Sequence, residues 1–325
     1  VRFIDSQTGW VTGYSNGNGF GDFGVKTMLK TSNGGQSWDS IPGLFGKSVY
    51  FINASLGWAS GANGEIRKTT DGGQTWQSQN SGTTNMIWDI YFFDSLHGWA
   101  QGIAPAVPNS IDCYILRTSD GGQTWETLPN FHSSSTYEKF EFVDLQNGWL
   151  SINGLLSKTT DGGLTWQSTS TPTSEYYIGY QFISPQTGWG VGNRGNIVKS
   201  TNGGSSWKKL NSDKINTHLT SVHFVNNQTG WVVGNQGKIK KTLSGGNSWF
   251  DQVSGTLKFL SAVQFTDELT GWVAGDSGTI LKTSNGGNSW QSQSSGTIKN
   301  LRAIYFTDSQ KGWATGDSLT IVYTN

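Results

Sequence analysis

Apolar and polar residues alternate over short stretches that recur along the whole chain. Val49 and Phe51, Ile90 and Phe92, Phe140 and Phe142, Tyr180 and Phe182, Val222 and Phe224, Val263 and Phe265, and Ile304 and Phe306 each stand two residues apart. The positions interleaved with them vary: Arg2, Tyr50, Tyr91, Glu141, Gln181, His223, Gln264 and Tyr305. A fixed apolar column beside a variable one is the pattern of a strand buried on one face, because successive side chains point to opposite sides. No stretch carries a helix period of any length. Each alternating stretch is followed by a Gly-Trp pair, which places Trp10, Trp58, Trp99, Trp149, Trp189, Trp231, Trp272 and Trp313 on a second strand. A tryptophan at one fixed place per unit is read as packing between neighbouring sheets, where it buries a large ring.

A third strand then runs into the segment Lys68–Trp76, KTTDGGQTW, and close copies of it organise the sequence. They are Lys30–Trp38, Arg117–Trp125, Lys158–Trp166, Lys199–Trp207, Lys282–Trp290 and a degenerate copy at Lys241–Trp249. The terminal tryptophans are spaced 38, 49, 41, 41, 42 and 41 residues apart. A period of this size is one repeated supersecondary unit. The Asp-Gly-Gly core reads as a turn between the third strand and a fourth: glycine supplies positive φ, and the short Asp or Asn side chain bonds nearby amides. Asn33, Asp71, Asp120, Asp161, Asn202 and Asn285, with Trp38, Trp76, Trp125, Trp166, Trp207, Trp249 and Trp290, are thus read as structural. The cation that opens every copy is read as part of the same frame.

Four strands per unit, repeated, predict an all-β fold: a single β-propeller of four-stranded blades. The units run 1–46, 47–85, 86–135, 136–176, 177–218, 219–258, 259–299 and, in part, 300–325. Seven full units are followed by three strands of an eighth, a strand total that favours eight blades, with seven as the alternative. The chain opens at Val1 inside a strand pattern and stops inside an eighth copy of the motif, and it is expected to be part of a longer precursor.

The motif S/T-x-D-G-G-x-T/S-W resembles the Asp-box, or bacterial neuraminidase repeat. Together with the Gly-Trp pairs it is similar to the propeller family of the photosystem II stability/assembly factor, whose relatives occur among secreted bacterial proteins. The resemblance covers the chain essentially from end to end. It implies a non-catalytic binding or assembly scaffold, with no cofactor, that makes protein–protein contact through one propeller face. The family's photosystem members are seven-bladed, a departure from the strand total here.

Composition narrows the partners. Only 14% of the residues are charged, and Lys plus Arg balances Asp plus Glu at 22 each, which argues against a nucleic-acid or anionic-membrane partner, since that would need a basic face. No apolar run approaches the ~20 residues of a membrane span. The single Cys113 cannot form an intrachain disulfide. His97, His132, His218 and His223 have no metal-binding spacing, so no metal site is expected. Gly19–Gly24 matches G-x-G-x-x-G, but the residues after it read as a strand where a nucleotide loop needs a helix. Abundant Trp, Gly, Ser, Thr and Asn with little Lys suggests a secreted, periplasmic or cell-surface bacterial protein.

Residues that break a repeat point to function, since the scaffold does not require them. Two insertions, Tyr14–Thr27 and Gln101–Tyr114, fall between second and third strands and are expected on one face with the inter-blade segments His132–Glu138 and Glu175–Tyr177. Trp88, which lies outside both tryptophan columns, is expected on the same face. The candidate binding residues are Tyr14, Phe20, Phe23, Trp88, Asp112, Tyr137, Tyr176 and Tyr177. Their aromatic, weakly charged character suits a protein partner, with a glycan as the alternative.

The enzyme alternative is a glycoside hydrolase. Asp-box sialidases grip a carboxylate with three arginines, whereas the five here are scattered and the Phe-Arg-Ile-Pro signature is missing. Xyloglucanase-like hydrolases use two aspartates between two propellers. Asp89 or Asp112 with Glu138 or Glu141 would be the carboxylate pair of such an enzyme.

Overall fold

A computed structural model describes residues 2–14, 26–41, 46–106, 110–128, 137–152, 155–169, 177–210 and 217–324. The fold is an all-β propeller of eight blades. Blades 1 to 7 are four-stranded antiparallel sheets in simple sequential order, and the described part of blade 8 has three strands. The chain divides into two compact units, Val1–Asn153 with Thr159–Gln167 and Gly154–Lys158 with Ser168–Asn325.

Blade 2 sets the pattern, with strands Gly46–Phe51, Gly57–Gly61, Ile66–Thr69 and Gln77–Gln79. Its Phe51 pairs with Gly57 across the first two strands. The phenylalanine ring lies over that glycine, and a Cβ there would sit 2.5 Å from a ring carbon. This close approach, repeated in blade after blade, is why glycine precedes each second-strand tryptophan.

The tryptophans form the seams between blades, as the sequence pattern implies. Trp10, Trp58, Trp99, Trp149, Trp189, Trp231 and Trp272 are fully buried. In the first unit Trp10 stacks on Phe51 of the next blade at 3.4 Å between centroids and 8° between planes. Trp76 meets the same Phe51 edge-on at 5.9 Å and 86°. In the second unit Phe265 is held likewise between Trp231, stacked at 3.4 Å, and Trp290, edge-on at 5.8 Å. The edge-on contacts of Trp76 and Trp290 are a favoured aromatic arrangement, each worth roughly 0.5–1.5 kcal/mol beyond area burial.

The Asp-Gly-Gly turn is self-contained. Thr69 Oγ1 donates to Asp71 Oδ1 at 2.8 Å and accepts from Gly73 N, while Thr75 Oγ1 donates to Asp71 Oδ2 at 2.6 Å. The hydrogen bonds from Thr75, then that from Thr69, pull the Asp71 carboxyl down to about 2. Slight burial acts upward on Asp120, but the bonds from Thr124 and Thr118 outweigh it and bring that group to about 2 as well. Gly72 and Gly73 sit at φ +73° and +87°, the left-handed region that glycine enters without strain.

Four of the turns also close the preceding blade through its second-strand tryptophan. Trp58 Nε1 donates to Gly121 O at 3.0 Å, and Trp231 Nε1 donates to Gly286 O at 3.2 Å. The repeated lysine belongs to this seam more than to its own turn: Lys199 Nζ lies 4.9 Å from the Trp189 ring centre and donates to Gly245 O at 3.1 Å. Burial lowers the pKa of that ammonium. The Gly-Gly turns and the loops between first and second strands share one side, because Gly72 N donates to Ser55 O at 2.8 Å and Gly286 N to Leu269 O at 2.7 Å.

The variable column of the first strands stitches neighbours together. Gln264 Nε2 donates to Phe306 O at 2.9 Å while its Oε1 accepts from Phe306 N at 2.7 Å. Gln181 treats Phe224 in the same way. In the first unit Arg2 lies over the Tyr50 ring at 4.3 Å, and Tyr50 meets Tyr91 at 5.0 Å.

Candidate functional site

The first strands carry an irregularity that strict alternation does not anticipate. Their buried apolar residues fall at spacings of three and then two, as in Leu219, Val222, Phe224 and Leu260, Val263, Phe265. The extra residue is a β-bulge: the register skips between Leu219 and Ser221, between Leu260 and Ala262, and likewise in the other blades. A bulge bends the strand and re-aims one side chain. The bulged residues are Lys47, Trp88, Glu138, Ile178, Thr220, Ser261 and Arg302.

In blades 6 and 7 the bulged residue is a small alcohol that seals the seam. Thr220 Oγ1 donates to Leu260 O at 2.6 Å, and Ser261 Oγ donates to Leu301 O at 2.6 Å. In blade 8 it is Arg302, which holds Asp317 through two bonds of 3.0 Å. Blades 2 and 3 differ. Lys47 Nζ sits 3.7 Å from the centre of the Trp88 ring, a close cation–π pair, and both residues are half-buried.

Directly beside this pair, Ser48 Oγ donates to Asp89 Oδ1 at 2.6 Å, and Ile90 N donates to the same oxygen at 2.9 Å. Burial pushes the Asp89 carboxyl above its ordinary value, against the downward pull of the Ser48 hydrogen bond. One oxygen of the Asp89 carboxyl is therefore engaged by two donors.

The second insertion is a long hairpin where a loop was expected. Gly98–Ala106 and Ser110–Thr118 pair over their full length, from Gly98 with Thr118 to Ala106 with Ser110. These nine-residue strands exceed the five-residue second strand of blade 2 by roughly 13 Å at the usual rise per residue. The hairpin base is packed: Gln101, Cys113 and Tyr114 are buried. The Tyr114 hydroxyl lies 2.9 Å from Thr83 Oγ1 and accepts from Asn85 Nδ2 at 3.2 Å.

Of the residues expected at the site, Trp88 stands at the bulge of Met86–Phe92 and is the one whose side chain is described there. Tyr14 ends a second strand, Asp112 pairs with Ala104 in the long hairpin, and Tyr137 pairs with Ile152, but their side chains lie outside the described residues. Phe20, Phe23 and Tyr176 also lie outside them. Tyr177 is a correction: it is 6% exposed, in the same buried register position as Leu219 and Leu260, and it packs the blade instead of lining a surface. Lys47 and Ser48 escaped notice because neither breaks the repeat in type. The three-then-two apolar spacing was the signal that marks them.

Among the described residues, no group of three or more His, Cys, Asp and Glu could hold a metal ion, and no helix is long and apolar enough to cross a membrane. Of the carboxylates considered for hydrolysis, Asp89 and Glu141 have described side chains, whereas Asp112 and Glu138 do not.

Comparison with known proteins agrees with this architecture. Residues 164–259 match the family model described as photosynthesis system II assembly factor YCF48. A comparison with curated proteins finds no match. Among solved structures, one described as YCF48 bound to D1 peptide aligns with a TM-score of 0.63 at 21% identity, over 85% of this chain and 90% of its own. YCF48 from Cyanidioschyzon merolae aligns with a TM-score of 0.63 at 18% identity, over 89% and 98%. A virginiamycin B lyase from Staphylococcus aureus reaches a TM-score of 0.60 at 13% identity, over 86% and 94%. The same blade architecture thus serves an assembly factor and a lyase, and the chain is a β-propeller similar to the YCF48 propellers.

Proposed function

We propose that this protein is a non-catalytic binding or assembly scaffold that grips a polypeptide partner. The gripping surface is built on the bulges of blades 2 and 3 and the long hairpin beside them. The observation that carries this reading is the Lys47–Trp88 pair, only partly buried at a position where blades 6 and 7 use a small alcohol to close their own seam. A small alcohol suffices to close the seam at this position, whereas aromatic residues dominate the energetics of protein interfaces. The similarity to YCF48, one structure of which is described as bound to D1 peptide, supports a peptide-like partner. Rigid blades hold the contact groups in place, so little ordering entropy is lost on binding. The composition favours action outside the cytoplasm, in the periplasm or at the cell surface.

The test is affinity capture from an envelope extract with the wild-type chain and with a Lys47→Ala/Trp88→Ala variant, followed by calorimetric titration of the purified partner. One stoichiometric protein partner, retained by the wild type and lost by the variant, is expected. Equal binding to both would move the site away from the bulges. Selective binding on a glycan array, with no protein partner, would replace the scaffold with a glycan-binding module.

A further inference from the structure

Six of the Gly-Gly turns come in two chemical versions. Asp71, Asp120 and Asp161 open three of them, Asn33, Asn202 and Asn285 open the other three, and each is followed by glycine. The residue four positions on changes with the first: Thr75, Thr124 and Thr165 accompany aspartate, whereas Ser37, Ser206 and Ser289 accompany asparagine. An Asn-Gly pair is thermolabile, because glycine has no Cβ to keep its backbone nitrogen away from the asparagine Cγ. That nitrogen loses its proton and bonds to Cγ, the Cγ–Nδ2 bond breaks, and ammonia leaves behind a cyclic imide. Water then reopens the ring. Cleavage between the nitrogen and Cγ gives aspartate, and cleavage at the backbone carbonyl gives isoaspartate.

The closed turns withhold both reacting groups. The attacking nitrogen is committed in each: Gly34 N donates to Gln7 O at 2.8 Å, Gly203 N to Gln186 O at 2.7 Å and Gly286 N to Leu269 O at 2.7 Å. The asparagine side chain is pinned as well. Asn285 Nδ2 donates to Ser289 Oγ at 2.9 Å, and its Oδ1 accepts from Thr283 Oγ1 and from Ser289 N at 3.0 Å each. Asn33 and Asn202 are held by the same three bonds. Asn202 and Asn285 are exposed, but the glycines that follow them are buried. Water reaches the amide, and the nucleophile does not.

We infer that Asn33, Asn202 and Asn285 are deamidation sites gated by local opening of their turns, and that the aspartate product closes into the same turn. Asp71 shows the closed form of that product: Thr75 Oγ1 donates to its Oδ2 at 2.6 Å, where Asn285 Nδ2 donates to Ser289 Oγ. A hydroxyl serves in either sense, so Ser289 has only to rotate its proton. Isoaspartate adds one atom to the backbone before the first glycine, and that product does not close. The Asn63-Gly64 pair has no such precedent, since its counterparts at positive φ are Arg194, Gln236, Ser277 and Ser318. Each conversion adds a negative charge to a chain whose formal net charge is zero. An opening that is otherwise transient thus leaves a permanent mark. This inference does not rest on the bulge surface of blades 2 and 3.

The test incubates the folded chain and the chain unfolded in urea side by side at mildly alkaline pH. Each site is followed by peptide mass spectrometry that separates aspartate from isoaspartate. Conversion at all three sites is expected in both samples, at least about a hundredfold slower in the folded chain. Trp231→Phe keeps a ring to stack on Phe265 but removes the indole N–H that Gly286 O accepts. It should speed conversion of Asn285 about threefold or more, with Asn33 and Asn202 unchanged. An Asn285→Asp chain should unfold at the wild-type midpoint or above it at neutral pH. Comparable rates in the two samples, or no conversion in urea, would overturn the gating. So would a Trp231→Phe chain that speeds all three sites equally, which assigns conversion to global unfolding, or one that leaves Asn285 unchanged. A lowered midpoint in Asn285→Asp would show that the product does not close.

Discussion

Blades 2 and 3 of the first unit and blades 6 and 7 of the second use the same backbone device for opposite ends. In all four the first strand bulges one residue after its first buried side chain or its glycine equivalent. In blades 6 and 7 the re-aimed residue is Thr220 or Ser261, and its hydroxyl is consumed by two carbonyls, one in its own blade and one in the next. In blades 2 and 3 it is Lys47 or Trp88, and the two residues meet each other across the seam. A periodic backbone irregularity thus offers a standing position for chemistry. The residue placed there decides whether it serves the fold or a partner.

The comparison assumes that the seams themselves are alike. Trp58→Ala and Trp231→Ala should therefore cost similar amounts, about 3–5 kcal/mol each, as deletions of a fully buried indole. Denaturant unfolding reads this, and a cost well below 1 kcal/mol at either site would break the equivalence. The bulge residues should then separate. Thr220→Val and Ser261→Ala each leave two carbonyls short of a donor and should cost about 1–2 kcal/mol, with partner binding intact. Lys47→Ala and Trp88→Ala should do the reverse: stability within about 1 kcal/mol of wild type and binding weakened more than about tenfold. Parallel unfolding and titration measurements would collapse the distinction if both pairs behaved alike.

Asp89 sharpens the contrast through pH. Its folded-state pKa is raised by burial, so the folded protein holds that proton to a higher pH than the unfolded chain does. Stability from this group is full below the ordinary carboxyl range and falls as pH rises toward the folded-state value. Asp89→Asn should accordingly raise the unfolding midpoint at neutral pH, with the gain shrinking as pH falls toward 3.8. A gain that persists unchanged at that pH would show that charge burial is not the cause. The smallest effect belongs to the turns. Asp71 and Asp120, lowered to about 2, add stability that is present above the unfolded value of 3.8 and lost as pH falls through about 2. In Asp71→Asn that acid-side loss should be reduced.

The fold was legible because its parts recur. Phe51, Trp58, Gly72 and Trp76 each have counterparts in blade after blade, and any packing rule inferred once is tested again by the next copy. The site was legible only in outline. Trp88 was found as an aromatic out of column, but its partner Lys47 is an ordinary residue in an ordinary place. What joins them is a bulge that brings positions 41 residues apart into contact. Tyr177 misled for the converse reason: it sits next to a variable connection, yet the bulge phase turns it inward. An alternation counted in twos does not tell which side of a bulge a residue falls on.

The bonds from Trp58, Trp99, Trp189 and Trp231 to the turns of the following blades mean that the repeat in sequence and the repeat in energy are out of step. What is completed as a unit runs from Trp58 through Gly121, not from one blade boundary to the next. Because these four joins use the same groups, a cut between them in the repeat cycle, rejoined at the same phase, would regenerate the same seam. Whole cycles gained or lost in a gene encoding this protein therefore need not respect blade boundaries to keep these joints.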